Sequence, residues 1–557
     1  MFTYQRVVLT GFSGTGKSTV ARLLANELGW RCLDLDDAIQ ERFGQTVTQI
    51  FESHGEAAFR RSESEELLKA LSSTSVVIAT GGGAVVATNI AVRALLDSPD
   101  TFVVALDALT ETILARLGEQ QIREGATSIR PLLMGLDPIA RIAELKCSRQ
   151  QAYDQADLTL IVDAVTPEFV ARELSTIVRK DQIDERAVTL RATSGKSRIL
   201  VDQGIFSRLG THIRQRWPNA RQAWIISDDY VGPLYTPQAI KSLDTEGFNV
   251  LFQHVPRGEG SKSLPVLGTL YDWMLDHGIE RGDVVVALGG GVIGDLAGFA
   301  AATCLRGIGL TQVPTSLLAM VDSSVGGKTG INHRAGKNLI GAFHQPSLVL
   351  VDPTLLQTLP AREVTSGWAE IIKHALIQPS TPGGERGDLV RFLQRNAAAL
   401  IDLREPAISY LIHRNIALKA AVVAIDEREA GARALLNFGH TLGHAIEAAG
   451  YLYLHGESVA LGIRAAMRIG AAVGTCGSPA IAFVDDLLDR FGLPVTASVD
   501  PNRVLDLLGS DKKRTEGRQR WILPAETGVV IRDDVPLAYV TAALASLSVA
   551  APKLRSV

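Results

Sequence analysis

The stretch that most constrains this chain is Gly11-Phe-Ser-Gly-Thr-Gly16-Lys17-Ser18, a G-x-x-x-x-G-K-S sequence. It follows a β-branched apolar run, Val7–Thr10, and precedes a segment of helical periodicity, 17–28. A glycine loop between a buried strand and a helix lets backbone N–H groups turn toward phosphate oxygens, because glycine adopts angles that side chains forbid. The helix dipole adds favourable potential for an anion at that end. In such a loop Lys17 reaches the β- and γ-phosphates and Ser18 holds Mg²⁺, with Gly14, Thr15, Gly16 and Thr19 completing the ATP cradle. Residues 2–9 then read as a strand feeding the loop, not as a signal peptide, since no small-residue cleavage site follows a long apolar core.

The strand–helix alternation continues through residue 178. With Val7–Thr10, the runs Val76–Ala79 and Phe102–Leu106 read as buried parallel strands, Trp30–Leu33 as a second strand and 57–71 as a helix, giving an α/β sheet with helices on both faces. Pro167–Arg179 reads as a closing helix with proline near its start. The charged run RKDQIDER (179–186) is the expected linker, and the parts on either side are expected to be separable catalysts. A hairpin pattern over 187–204 opens a second α/β region, with strands at Ala223–Ser227, Val284–Leu288 and Ser347–Val351. Beyond Leu355 strands largely stop, and helical runs occupy 389–401, 406–430, 436–449, 456–473 and 479–491. At 557 residues the chain is too long for one core, and it divides into domains 1–178, 187–355 and a mainly helical 356–557.

A net charge of -4 gives no support for binding nucleic acid or a membrane surface. The most apolar stretch, 284–305, contains Asp295 and many glycines and reads as strand, loop and helix instead of a membrane span. The four cysteines lie far apart without a C-x-x-C, which argues against a disulfide framework and a thiolate zinc site and for a reducing cytoplasm.

Other residues could complete the phosphate site. Asp34 and Asp36 flank Leu35 just past the second strand, where a solvated turn would explain them equally well. Arg60 and Arg61 begin a helix, Gly81–Gly83 follows the third strand, and Arg123, Arg130 and Arg149 spread over a later loop-and-helix region. Arginines gathered at a phosphate site can bind a carboxylate or neutralise transferring phosphoryl charge.

The second half carries two further patterns. Ala287-Leu-Gly-Gly-Gly291-Val-Ile-Gly294-Asp295 sits between a strand and a helix, where glycines let backbone approach a pyrophosphate; its spacing is not G-x-G-x-x-G, and a tight strand–helix turn explains it as well. Glu370 and His374 form an i,i+4 pair, His440 and His444 another, and His455 precedes a further helix. Two imidazoles and a carboxylate suit Zn²⁺ with an open position, but spacing does not choose among His374, His440, His444 and His455.

Over residues 1–178 the chain resembles shikimate kinases, carried by GFSGTGKST, LDLDDAI, GEAAFRRSE, TGGGAV, IRPLL and the R-x-x-x-Y at 149–153. That resemblance implies a P-loop fold in which Asp34 helps organise Mg²⁺ and Asp36 grips the attacking hydroxyl. It implies that Arg60, Gly82 and Arg149 bind shikimate, that Arg130 sits on a lid over the phosphates, and that Arg123 lies near the adenine. Gln150-Gln-Ala152 stands where the family usually has a proline–leucine pair.

Residues 187–540 resemble 3-dehydroquinate synthases. The carrying motifs are ALGGGVIGDLAGFAA, VPTSLLAMVDSSVGGKTGIN, GKNLIGAFHQP, WAEIIKHALI, DEREAGARALLNFGHTLGHAIEA, HGESVALG and DKKRTEGRQRWILP. The likeness implies Zn²⁺, with Co²⁺ as an alternative, on Glu370, His440 and His455. It implies NAD⁺ lined by Asp228, Glu259, Lys262, Gly290, Gly291, Asp295, Thr315, Ser316, Lys328, Lys337 and Thr358. The substrate, the sugar-acid phosphate DAHP, would meet Asp322, Lys328, Asn338, Lys373, Lys419, Arg433, Asn437, His444 and Lys512. Arg306 would reach a neighbouring subunit's substrate, implying a homodimer. The implied reaction oxidises an alcohol, eliminates phosphate, returns the hydride and closes a ring, so NAD is not consumed. A related sugar-phosphate cyclase or a polyol dehydrogenase is the rival reading, and the fused kinase argues against both. The insert-like TPGGERGD (381–388) has no evident role.

Overall fold

The computed structural model describes residues 4–86, 90–124, 137–179, 187–381, 388–429, 431–450, 452–510 and 519–548. Contacts divide the chain into two compact units, one of residues 1–185 with 386–407 and one of 186–385 with 408–557.

The first unit is a five-stranded parallel sheet in the order β2-β3-β1-β4-β5. Its strands are β1 (Arg6–Gly11), β2 (Arg31–Asp34), β3 (Val76–Ala79), β4 (Thr101–Asp107) and β5 (Leu158–Ile161). The β1, β3 and β5 strands are buried at every residue, as expected of parallel strands covered on both faces. Helix Lys17–Leu28 begins directly at the glycine loop and ends on Gly29 in the left-handed conformation, as the spacing indicates.

The expected helix over 57–71 forms, with Arg60 and Arg61 near its start, and a further helical stretch precedes it: the run Val47–Leu71 is broken at Gly55 (φ 76), and Thr46 and Gln49 form a capping box at its beginning.

The unit also claims a segment from far along the chain. Helix Leu389–Ile401, expected in the helical domain, buries Leu389, Phe392, Leu393, Ala397 and Leu400 within the first unit. Full burial of a large apolar side chain contributes roughly 1.5–3 kcal/mol, so this face needs a partner. Sequence periodicity shows that such a face exists but not what covers it. The expected linker falls mostly outside the described residues, which resume at Ala187.

The second unit is built on a seven-stranded sheet in the order β6-β7-β14-β11-β10-β8-β9. Its strands are β6 (Ala187–Ala192), β7 (Gly195–Val201), β8 (Gln222–Asp228), β9 (Asn249–Val255), β10 (Val284–Gly289), β11 (Gly309–Pro314) and β14 (Leu348–Val351). Within this sheet, among the described residues, the β6–β7 hairpin alone pairs antiparallel. Two small ribbons stand apart: β12 (Lys328–His333) with β13 (Gly336–Phe343), and β15 (Trp521–Pro524) with β16 (Val529–Arg532).

Between β14 and β15 the chain is helical. Helices His440–Gly450 and His455–Ala472 cross with backbones almost touching: a Cβ on Gly462 would lie 1.9 Å from the Gly439 carbonyl oxygen, and one on Gly443 2.8 Å from that of Ser458. This close approach brings His440 and His455 into one place. Helix Ala407–Ile425 is long and apolar enough to cross a membrane by length and composition, but 61% of that window is buried inside the fold.

Candidate active sites

At the carboxyl end of β1 the loop turns through Gly14 (φ 83) and Gly16 (φ 90), angles that favour glycine. The Lys17 ammonium donates to the Gly11 and Phe12 carbonyls at 3.0 and 2.9 Å, which spans the loop with a buried positive charge. Gly16 caps the following helix without any side-chain bond, so first-turn N–H groups face the loop, as a phosphate cradle requires. Thr15 is buried and donates to the Phe12 carbonyl at 2.8 Å, while Ser18 and Thr19 are exposed on the first turn.

Gly81–Gly83, past β3, gathers the second half of this site. A Cβ on Gly81 would meet Glu63 Oε1 at 2.2 Å and Asp36 Oδ1 at 2.9 Å. One on Gly82 would meet Ser13 Oγ at 3.2 Å and Arg149 Nη1 at 3.3 Å, and one on Gly83 would meet Arg60 Nη1 at 2.5 Å. The Gly82 carbonyl accepts from Arg149 (3.0 Å) and from the Tyr153 hydroxyl (2.5 Å). Three glycines thus admit Asp36, Arg60 and Arg149 to the same spot beside the phosphate loop. Arg60 is held by Glu63 at 2.6 Å and Glu56 at 3.3 Å. Burial pushes the Glu63 carboxyl up despite Arg60, and raises Tyr153 to about 12. Asp34 accepts from the Asp36 N–H at 3.0 Å, capping helix Leu35–Phe43 and fixing the backbone of Asp36.

In the second unit, β10 runs into Gly290 and Gly291, which open helix Gly291–Thr303 with no side-chain cap. A Cβ would meet Ser316 Oγ at 3.4 Å from Gly290 and Ser323 Oγ at 3.0 Å from Gly291, so the glycines keep a close approach to the backbone open. Thr315 donates its N–H to the Gly289 carbonyl at 3.0 Å. Below this turn Lys262 is buried against Asp295 (2.7 Å), with Asn338 as a second partner and Glu259 at 3.5 Å. Burial raises the Asp295 carboxyl against the pull of Lys262. Asp228, at the end of β8, accepts from the N–H groups of Tyr230 and Val231 at 2.9 and 2.7 Å, and Tyr230 donates to the Thr358 carbonyl at 3.2 Å.

The histidines meet on helix ends. Glu370 is fully buried on helix Ala361–Ile377, and its Oε1 lies 3.5 Å from His440 Nε2 and 3.6 Å from His455 Nε2. Among the described residues that oxygen has no hydrogen-bond partner. Ligand atoms about 3.4 Å apart are what a tetrahedral ion with bonds of ~2.0–2.2 Å holds. Lys373 donates to the other Glu370 oxygen. His455 Nδ1 faces Glu447 at 3.2 Å, and Lys337 pairs with Glu447 at 2.6 Å. Burial opposes a charged His455, yet Glu370 and Glu447 outweigh it and raise the imidazole to about 10, so this spot attracts positive charge. His444 stands beside both imidazoles, with ring centroids 5.1 Å from His440 and 5.7 Å from His455.

His374, the i,i+4 partner of Glu370, turns instead to Asn415 (3.2 Å) and Asp322 (3.6 Å). Asp322 pairs with Lys419 at 2.7 Å; burial pulls that lysine down to about 8 although Asp322 resists. Arg433 donates to the Glu427 and Gly326 carbonyls, and Lys328 and Asn437 share Glu429. Arg306 lies exposed on left-handed backbone (φ 67), and among the described residues none of the cluster's bonds reaches it. Arg130, Lys512 and the Arg123 side chain lie outside the described residues.

Family comparisons match both parts of the chain. The model for shikimate kinase matches residues 13–179, and those for the 3-dehydroquinate synthase N-terminal and C-terminal parts match 252–366 and 367–514. The 3-dehydroquinate synthase of Desulforamulus reducens is 42% identical over 351 residues, covering 62% of this chain and 96% of that protein. That of Pelobacter propionicus is 46% identical over 327 residues, covering 58% and 89%. The chain belongs to the 3-dehydroquinate synthase family, with a shikimate kinase fused ahead of it. Among solved structures, 2-epi-5-epi-valiolone synthase from Streptomyces hygroscopicus, with NAD⁺ and Zn²⁺ bound, is 28% identical with a TM-score of 0.58 over 63% of this chain and 96% of that one. A 2-deoxy-scyllo-inosose synthase holding carbaglucose-6-phosphate, NAD⁺ and Co²⁺ is 25% identical at the same TM-score, covering 64% and 99%. Shikimate kinases and 3-dehydroquinate synthases are enzymes of one pathway, the shikimate pathway.

Sequence reasoning passed over several residues of both sites. In the kinase half, Glu63 and Tyr153 tie Arg60 and Arg149 to the glycine turn; FRRSE and R-x-x-x-Y contained them, one helical turn from residues already chosen. In the synthase half, Glu447 orients His455 and Glu429 gathers Lys328 and Asn437. Their only signal was an acid within reach of basic candidates, which any surface carboxylate shares.

Proposed function

We propose that this chain phosphorylates shikimate with ATP and Mg²⁺ in its first unit and converts DAHP to 3-dehydroquinate and phosphate in its second. What carries this reading is that each unit gathers the central residues of one site: Asp36, Arg60 and Arg149 converge on Gly81–Gly83, and Glu370 Oε1, without a hydrogen-bond partner among the described residues, faces two histidine nitrogens.

In the kinase, Lys17 and the loop N–H groups with Gly14, Thr15, Gly16 and Thr19 bind the phosphates, and Arg130 and Arg123 add contacts to ATP. Ser18 and Asp34 serve Mg²⁺. Arg60 and Arg149 hold the shikimate carboxylate against Gly82, which sets the hydroxyl beside Asp36, where the carboxylate takes its proton. Positioning and charge neutralisation do most of this work.

In the synthase, Glu370, His440 and His455 hold the metal, and Gly290, Gly291, Asp295, Lys262 and their neighbours hold the dinucleotide. When bound, NAD⁺ supplies a reversible hydride acceptor and the metal polarises alcohol and carbonyl oxygens. Lys373, Lys419, Arg433, Asn437 and Asn338 orient a multiply charged substrate, and His444 sits where it can move a proton without ligating. Glu447 fixes the His455 ring through Nδ1. Arg306, exposed past helix Gly291–Thr303, serves the substrate of a second copy, so the chain works as a homodimer. Four free cysteines accord with a reducing cytoplasm.

The test gives purified full-length protein DAHP with NAD⁺ and zinc in one vessel and shikimate with MgATP in another. Both products are expected; absence of either removes that half of the proposal.

A further inference from the structure

Helix Leu389–Ile401 does two things in the first unit. It docks on β5, the edge strand of the kinase sheet, through its apolar face and through Asn396. The Asn396 amide accepts from the Thr159 N–H at 2.9 Å and donates to the Thr159 carbonyl at 3.1 Å, as a neighbouring strand would. That pairing closes an edge which would otherwise leave backbone groups unmatched.

Its arginines are aimed elsewhere. Arg391 spans two carboxylates, Asp163 at 2.5 Å and Asp107 at 3.2 Å, and Arg395 meets Asp107 at 3.0 Å. Asp107 is buried at the end of β4 and also takes Lys146 at 2.8 Å; Asp163 follows β5 and accepts from the Leu109 N–H at 2.7 Å. Both acids lie at the carboxyl end of a parallel sheet, the end where ligands of such sheets bind. The turn they form leads into helix Thr110–Glu124, and that helix is the floor of the glycine loop: a Cβ on Gly14 would meet Leu117 at 3.0 Å and the Ile113 carbonyl at 3.3 Å. Gly11 packs as closely on β4, with a would-be Cβ 2.2 Å from the Leu106 carbonyl. A path of close contacts therefore joins Asp107 and Leu109 to the loop.

We propose that this helix, lent from the middle of the synthase sequence, is a positioning element of the kinase, with Arg391 and Arg395 fixing the Asp107–Leu109 turn and through it the affinity of the loop for ATP. It rests on the reading of Gly11–Ser18 as the nucleotide loop. Docking and positioning fall to different residues, which makes them separable.

The experiment uses the full-length chain, with shikimate phosphorylation measured against varied ATP and varied shikimate and synthase activity measured on the same preparations. Arg391→Ala with Arg395→Ala should raise KM for ATP on the order of tenfold, leave KM for shikimate within about twofold, and leave synthase turnover alone. Arg395→Lys, which keeps a positive charge at that position, should stay near wild type. Asn396→Ala should lower the melting temperature without moving KM for ATP. An unchanged KM for ATP in the double variant, an equal rise in both KM values, or a fall in kcat alone would overturn the proposal. A wild-type chain that does not phosphorylate shikimate would overturn the kinase reading and this proposal with it; an active wild type with an indifferent double variant overturns this proposal only.

Discussion

In the kinase half, the main chain makes the room. Gly81, Gly82 and Gly83 let Asp36, Arg60 and Arg149 come within van der Waals reach of backbone, and Gly14 and Gly16 turn N–H groups toward a phosphate. In the synthase half, charged side chains balance one another, most of them buried or half-buried: Glu370 against Lys373, Asp322 against Lys419, and Glu447 against His455 and the exposed Lys337. Close packing on glycine backbone can be disturbed by one methyl group, whereas a charge network is disturbed by removing one partner and leaving the other unpaired. The two sites should therefore fail in different ways.

The largest effects should come from the charges at the centre of each. Lys17→Met should lower shikimate phosphorylation on the order of 10³-fold or more and leave dehydroquinate formation unchanged, as paired assays on one preparation would show. His440→Ala or His455→Ala should end synthase activity and deplete bound metal, with the kinase intact. His444→Ala should keep near-stoichiometric metal, measured by plasma emission, yet turn over slowly; metal lost with His444 would redraw the ligand set. A step smaller is Glu447→Gln, which removes the charge on His455 Nδ1 and should weaken metal affinity by about 10–100-fold in a chelator competition.

Gly83→Ala tests the other half of the comparison. Its Cβ would press on the end of Arg60, at 2.5–2.9 Å from the guanidinium, so the side chain must leave its place while the helix stays. KM for shikimate should rise roughly tenfold with ATP binding little changed, a selective loss that a folding defect does not produce. The smallest effect concerns pH. Burial alone would raise the Asp107 carboxyl, but Lys146, Arg395 and Arg391 outweigh it and hold it below the ordinary range. A carboxyl depressed in the fold contributes stability that is complete above its unfolded value of ~3.9 and is lost as pH falls through the lower folded value. Asp107→Asn should therefore lose less stability than wild type between about pH 4 and pH 2 in denaturant titrations, even if it starts lower.

What the sequence revealed follows the same division. The phosphate loop was legible because its glycines, lysine and flanking strand lie together in twenty residues, and β1, β3 and β4 stood out as continuous apolar runs. β5, β9 and β11 did not: a polar residue such as Thr159, Gln253 or Gln312 interrupts the apolar run, and the edge strand β9 stays partly exposed even in the fold. The histidine and glutamate candidates were visible as i,i+4 pairs, but their pairing across helices was not, since it depends on the glycines that let His440–Gly450 and His455–Ala472 cross closely. The allegiance of Leu389–Ile401 to the kinase was hidden for the same reason, because an apolar face carries no address. It changes the expectation that a cut at 179–186 frees two working halves: a kinase fragment ending there lacks Asn396, Arg391 and Arg395.

The difference between the two sites is tested most directly by taking the metal away. The full-length protein is dialysed against a chelator, the chelator is removed, and both activities are assayed with Mg²⁺ in excess before and after adding zinc. Synthase activity should vanish and return with zinc, because two imidazoles and a carboxylate suit that ion and not Mg²⁺, while shikimate phosphorylation stays at its starting rate throughout. Synthase turnover that survives complete metal removal, or that Mg²⁺ alone restores, would contradict the assignment of Glu370, His440 and His455 as its metal site.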